Sequence, residues 1–261
     1  MKLRFRIFDR KLPSRVVLGE HGGTASTWGA GFGWERDVSP AAWIRPRLHP
    51  FGRDVGSVIP EGFQGYARLF HPVEVDGRDR WSDIALRNGR IVHSEMQFHL
   101  ISTPRGQTPT ELYGKREPRH GTLLLEQRRV LVEHLRKATT TQDRCWFCIW
   151  EGFGGFEDGG VSERVELPRR KYVLYRGAID RALQSPDPLL DQSPNLWWPD
   201  DRAWFVASEI DFAWTYVGGE DGLIAGLLAD GRLEALPVAL GAKADSTADR
   251  VNSALNTQPL D

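Results

Sequence analysis

Cys145-Trp146-Phe147-Cys148-Ile149-Trp150 is a run of six residues without a charge, dominated by the aromatic side chains that favour a pleated strand. In an extended chain successive side chains alternate, so Cys145, Phe147 and Ile149 share one face while Trp146, Cys148 and Trp150 share the other. The segment just before it has a different period. From Leu123 to Lys137, Leu124, Leu131, Val132 and Leu135 recur at helical spacing, Thr122 stands where an N-cap would, and Arg136 and Lys137 close the segment where positive charge suits the helix dipole. Downstream the pattern returns to strands, expected at Lys171 to Arg176, Ala203 to Asp211 and Leu233 to Leu240. A helix is expected from about Asp221 to Ala229 with Leu223, Ile224, Leu227 and Leu228 on its apolar face, and a short terminal helix from Ser246 holding Val251 and Leu255. No regular βαβ rhythm appears, so the expected class is α+β, a mainly antiparallel sheet with a few helices, and a doubly wound nucleotide fold is disfavoured.

Upstream, Ser102 to Gly121 is polar and punctuated by Pro104, Gly106, Pro109, Gly114 and Pro118, which reads as a linker. It divides the chain into a β-rich N-terminal half, 1–110, and an α+β half, 120–261, expected to pack together and compatible with one continuous domain. Met1 to Arg10 alternates basic and apolar residues, with Leu3, Phe5 and Ile7 on one face, and reads as a first strand instead of a signal peptide. No internal repeat is visible.

The chain has 261 residues with 34 Lys plus Arg against 35 Asp plus Glu, a net charge of -1. That balance argues against a protein built as a whole to neutralise nucleic-acid phosphates or coat an anionic membrane. No apolar run approaches the roughly 20 residues that span a bilayer. Two cysteines make no disulfide framework, and the cytoplasm is the expected compartment. From Asp187 to Glu234, however, acids greatly outnumber the bases Arg202 and Arg232. Such residues are expected to pair within the fold or face water, and the sharper reading is a surface that selects a basic partner.

Several motifs point toward chemistry. Cys145 and Cys148 would point to opposite faces of a strand, so they are read as buried structural thiols without a shared metal. His93-Ser94-Glu95-Met96-Gln97-Phe98-His99, if extended, would line His93, Glu95, Gln97 and His99 on one face, a row of nitrogen and oxygen ligands suited to a divalent metal or to acid–base work. A water-facing sheet surface explains the same pattern and is preferred. His71 could join that row only if the fold brings it near. Glu209 and Asp211 would share a face of the strand expected there and are weaker acid–base candidates. The glycine clusters around Gly31 and Gly154 match no dinucleotide or phosphate loop, and no nucleophile elbow is present. No metal site is assigned and no cofactor is expected.

Ten tryptophans stand out for this length. Trp197-Trp198-Pro199 follows a Pro-rich stretch and reads as a loop, with one ring expected on the core and the other accessible beside Asp200 and Asp201. Trp197, Trp198, Asp200 and Asp201 therefore form the expected binding surface.

Three stretches carry a resemblance: Cys145 to Gly154, Ser193-Pro194-Asn195-Leu196-Trp197-Trp198-Pro199-Asp200-Asp201-Arg202-Ala203-Trp204, and Thr215-Tyr216-Val217-Gly218-Gly219. With Pro60-Glu61-Gly62-Phe63 through His71-Pro72, they resemble an uncharacterised family of Trp-rich bacterial proteins over most of the chain. The resemblance implies no activity, cofactor or catalytic residue. The expected function is binding, of a basic protein or a small ligand but not nucleic acid or membrane, through the Trp197 loop and the acidic surface. The alternative is a metal-assisted hydrolase or other enzyme using His93, Glu95 and His99.

Overall fold

Among the described residues, eight strands form one sheet in the order β3-β4-β2-β5-β6-β7-β1-β8, with every neighbouring pair antiparallel. The strands are β1 Gly65–Phe70, β2 Cys145–Trp150, β3 Val165–Leu167, β4 Arg170–Gly177, β5 Leu196–Pro199, β6 Phe205–Ala207, β7 Trp214–Gly219 and β8 Ala235–Pro237. A computed structural model describes residues 32–73, 79–107, 117–153, 160–186 and 191–255, so the strand expected over 1–10 lies outside the described residues. The α+β class is as expected, and β1, from the first half of the chain, sits between β7 and β8 of the second.

Both faces of the sheet are covered. On one, α3 (Leu125–Lys137) and α4 (Asp221–Ala229) lie over Ala67, Leu69, Phe147, Ile149, Val173, Trp197 and Val217. On the other, α1 (Trp81–Arg87), α2 (Phe98–Ile101) and the single turns at 39–41 and 55–57 lie over Phe70, Cys148, Leu174, Trp198, Phe205 and Trp214. Close packing explains two glycines in β7: a Cβ on Gly218 would come within 2.7 Å of the Phe63 ring, and one on Gly219 within 2.6 Å of Leu223.

Two-sided burial overturns the expected Trp197 loop. The pair lies in β5 and neither ring is accessible, with Trp197 0% and Trp198 1% exposed. Alternation does send them apart, but each side is core. Trp197 stacks with Phe147 at 6.2 Å and meets Trp204 edge-on at 5.5 Å, while Trp198 stacks on Phe205 at 5.7 Å and meets Trp43 edge-on at 6.3 Å. The same alternation separates the thiols as expected: Cys145 joins the core under α3 and Cys148 the opposite one, both free and buried.

Other boundaries moved for local reasons. Thr122 does not cap α3; its hydroxyl donates to the Asp191 carbonyl at 3.2 Å and accepts from the Ser193 N–H at 2.8 Å. The strand expected over Ala203 to Asp211 keeps only Phe205–Ala207, because the chain turns at Ile210 and Asp211 into β7. The terminal helix α5 is Arg250–Leu255, capped by Asp249, whose Oδ1 accepts the Asn252 N–H at 2.8 Å. It starts four residues later than the expected Ser246, holds Val251 and Leu255 as expected, and turns Asn252 inward while Val251 stays exposed.

Several acids of the stretch from Asp187 to Glu234 are paired within the fold. Asp191 pairs with the buried Arg128, Asp230 with His134 and Arg232, and the Glu234 carboxylate accepts the Trp81 and Ser82 N–H groups, each at 2.7 Å. Glu234 thereby satisfies the first turn of α1, where Arg80 offers no side-chain cap. Asp200 accepts from Trp146 Nε1 at 3.1 Å, and Asp201 gathers Thr139, Thr140 and the Ala203 N–H, tying the β5–β6 turn to the α3–β2 connection.

Candidate functional site

Strand β1 reads Gly65-Tyr66-Ala67-Arg68-Leu69-Phe70, and alternation places Arg68 on the face of Tyr66 and Phe70, opposite Tyr216 of β7. A cation is thus set into an aromatic core layer. Its guanidinium lies 3.8 Å from the ring centre of Trp214, 4.7 Å from that of Phe70 and 5.7 Å from that of Trp81. Nη1 donates to the Ser94 carbonyl at 2.5 Å. Nε and Nη2 are buried and have no hydrogen-bond partner, and no carboxylate of the described residues forms an ion pair with Arg68. Those two nitrogens form one edge of the guanidinium, the fork that grips a carboxylate or phosphate with two parallel bonds. Burial lowers the Arg68 pKa to about 10, while Tyr216, Asp249 and Glu95 favour the charge, so the group is a cation at neutral pH.

Segment 90–97 runs beside Arg68 and is fastened to α5. His93 Nε2 bonds Asp249 Oδ1 at 2.8 Å; Asp249 Oδ2 accepts the Gln97 N–H at 3.0 Å and Asn252 Nδ2 at 2.9 Å. Asn252 completes a two-way pairing with Ile91, accepting its N–H at 2.8 Å and donating to its carbonyl at 3.0 Å. Burial pushes the Asp249 pKa up, but the bonds from His93, Asn252 and Gln97 outweigh it and hold the carboxyl below its ordinary value.

The His93, Glu95 and His99 row is not a strand. Ser94 and Glu95 form a turn and His99 lies on α2, so the period-2 face never forms. His93 uses Nε2 on Asp249 and accepts the Glu95 N–H on Nδ1 at 3.3 Å, so both ring nitrogens are engaged. Glu95 Oε1 accepts the Lys243 N–H at 3.1 Å, and His99, on α2, feels the Asp249 charge, which partly offsets the lowering of its pKa by burial. Among the described residues, no group of three or more His, Cys, Asp or Glu stands where it could hold a metal ion.

His71 belongs to a different chain of bonds. It bonds the Arg119 carbonyl through Nδ1 at 2.7 Å and Thr215 Oγ1 through Nε2 at 2.9 Å, and Thr215 in turn meets Ser208 Oγ at 2.6 Å. Burial lowers its pKa to about 4, so it is neutral, donating to the carbonyl and accepting the threonine hydroxyl. Glu209 and Asp211 do come together, in the turn between β6 and β7 and not on a strand face. Arg170 Nη2 lies 2.5 Å from Glu209 and 2.8 Å from Asp211, and its Nε 2.9 Å from Glu209. Burial raises the Glu209 pKa and Arg170 lowers it, so the pair serves a guanidinium and closes a turn.

Motif spacing does not single out Arg68. Its signal was present as a charge on the apolar face of a strand, where burial demands a partner. No family model, curated protein or solved structure matches the chain.

Proposed function

We propose that this protein binds a small acidic molecule, held by the fork of Arg68 within the cradle of Trp214, Phe70 and Trp81. One observation carries the reading: a fully buried guanidinium whose bidentate edge, Nε and Nη2, meets no protein acceptor. A buried cation is stabilised when its donors are bonded, and a carboxylate or oxyanion meets that need with the right geometry. The aromatic rings supply the apolar contact that small-molecule sites favour around a few fixed polar groups. Internal pairing of Asp191, Asp230 and Glu234 favours a small ligand over a basic protein as the partner. The hydrolase alternative has less support, since His93 has no free nitrogen to act as base or ligand. The cytoplasm is the compartment proposed, in keeping with two free thiols.

Calorimetric titration of small carboxylates and oxyanions into the full chain tests the reading. Saturable binding is expected in the wild type and is expected to vanish in Arg68→Met when circular dichroism shows the variant folded. Binding that survives the loss of the guanidinium would retire the site.

A further inference from the structure

We infer that the Arg68 site selects a monocarboxylate over a dianion, and that Glu95 is the residue that sets this selection. The inference rests on reading Arg68 as an anion site and adds the charge class of what it takes. The fork presents two parallel N–H donors, which one planar carboxylate satisfies with its two oxygens. The surroundings then limit the charge that can enter. Arg68 is a single cation, and the groups whose field reaches it are Tyr216, Asp249 and Glu95, the last two negative. A dianion doubles both the attraction to the one guanidinium and the repulsion from the two carboxylates, and its desolvation cost rises faster than its charge, so the balance turns against it in a setting where water screens little.

The two carboxylates differ in freedom. Asp249 is fixed by His93, Gln97 and Asn252 and is spent on holding α5 to the segment 90–97. Glu95 is half-buried, its carboxylate bonded among the described residues to the Lys243 N–H, and it sits on the same turn as Ser94, whose carbonyl holds Nη1. Its charge therefore acts on Arg68 from the neighbouring turn residue without being needed to hold the fork in place. Trp214, Phe70 and Trp81 wall the guanidinium with buried apolar rings, a surrounding that suits an acid with a carbon body better than a compact oxyanion. The fork is buried, so reaching it requires a local opening and association is expected to be slower than diffusion.

Nitrogen-15 NMR of the guanidinium Nε–H groups in the full chain tests the inference directly, because sulfate stabilises proteins in general and would mislead a melting assay. The Arg68 resonance is assigned by its loss in Arg68→Lys. Acetate and benzoate, titrated at constant ionic strength, are expected to shift it saturably, and sulfate to do so only at about ten-fold higher concentration or more. In Glu95→Gln, which keeps the acceptor for Lys243, that ratio is expected to fall several-fold. Sulfate binding the wild type as well as benzoate does would overturn the charge selection and leave the acidic-ligand reading standing. A ratio unchanged in Glu95→Gln would overturn the role of Glu95. If no anion moves the Nε–H, both readings fall together.

Discussion

Trp197 and Trp198 are neighbours in sequence and lie in separate cores, so each should behave as a core residue when truncated. Either Ala variant is expected to lose roughly 3 to 5 kcal/mol, the usual cost of removing a large buried aromatic. Urea melts of the two single variants check this, and a near-neutral result for one would restore an accessible ring. The thiols follow the same logic. Burial raises the pKa of Cys145 to about 12 and that of Cys148 further still. Since only the thiolate reacts, both are expected to label slowly with a thiol reagent in the folded protein and rapidly in denaturant.

At the scale of elements, the structure is fastened by side chains borrowed from distant sequence. Helix α1 spans Trp81–Arg87 and has no cap of its own, and Glu234 supplies one from the residue before β8. Glu234→Ala is expected to cost about 1 kcal/mol, in line with loss of a helix cap, and to speed amide exchange in the first turn of α1. Exchange unchanged there would mean that water replaces the carboxylate without loss. Helix α5, of only six residues, is too short to persist alone, and Asp249 is both its cap and the acceptor for His93 and Gln97. The helix and the turn beside Arg68 are thus one fastened unit.

Across the whole molecule, buried ionisable groups set how stability responds to acid. His71 titrates near 4 when folded and near 6.5 as an unperturbed histidine, so the unfolded chain takes up its proton first. Its contribution is complete above about 6.5 and is lost as the pH falls toward 4, roughly 3 kcal/mol over that window. Asp249, held below its ordinary value, adds a loss at still lower pH with the same sign. Denaturant midpoints measured from pH 7.5 down to 4 are expected to fall, and a folded His71→Gln variant should show a flatter profile through that range. An equal slope in that variant would assign the acid sensitivity elsewhere.

Much of the fold was written in local pattern. The period-2 run Cys145–Trp150 and the helix Asp221–Ala229 appear with the boundaries expected, since their apolar spacing left one conformation that buries it. Alternation also decided that the two cysteines face apart. What lay on each face was not local information. A strand pattern cannot tell whether its second face meets water or another layer, so Trp197-Trp198-Pro199 read as an exposed loop until helices and turns were seen covering both sides of the sheet. His93, Glu95 and His99 matched a strand period that the short helix Phe98–Ile101 breaks, and Glu209 and Asp211 met through a turn and a guanidinium instead of a strand face. Arg68 shows the limit most directly. Local pattern marked no strand at Gly65–Phe70, and only the packing of β7, α1 and the Ser94 turn around Arg68 left one edge of its charge without an acceptor, because burial is a property of the assembled layers and not of the strand.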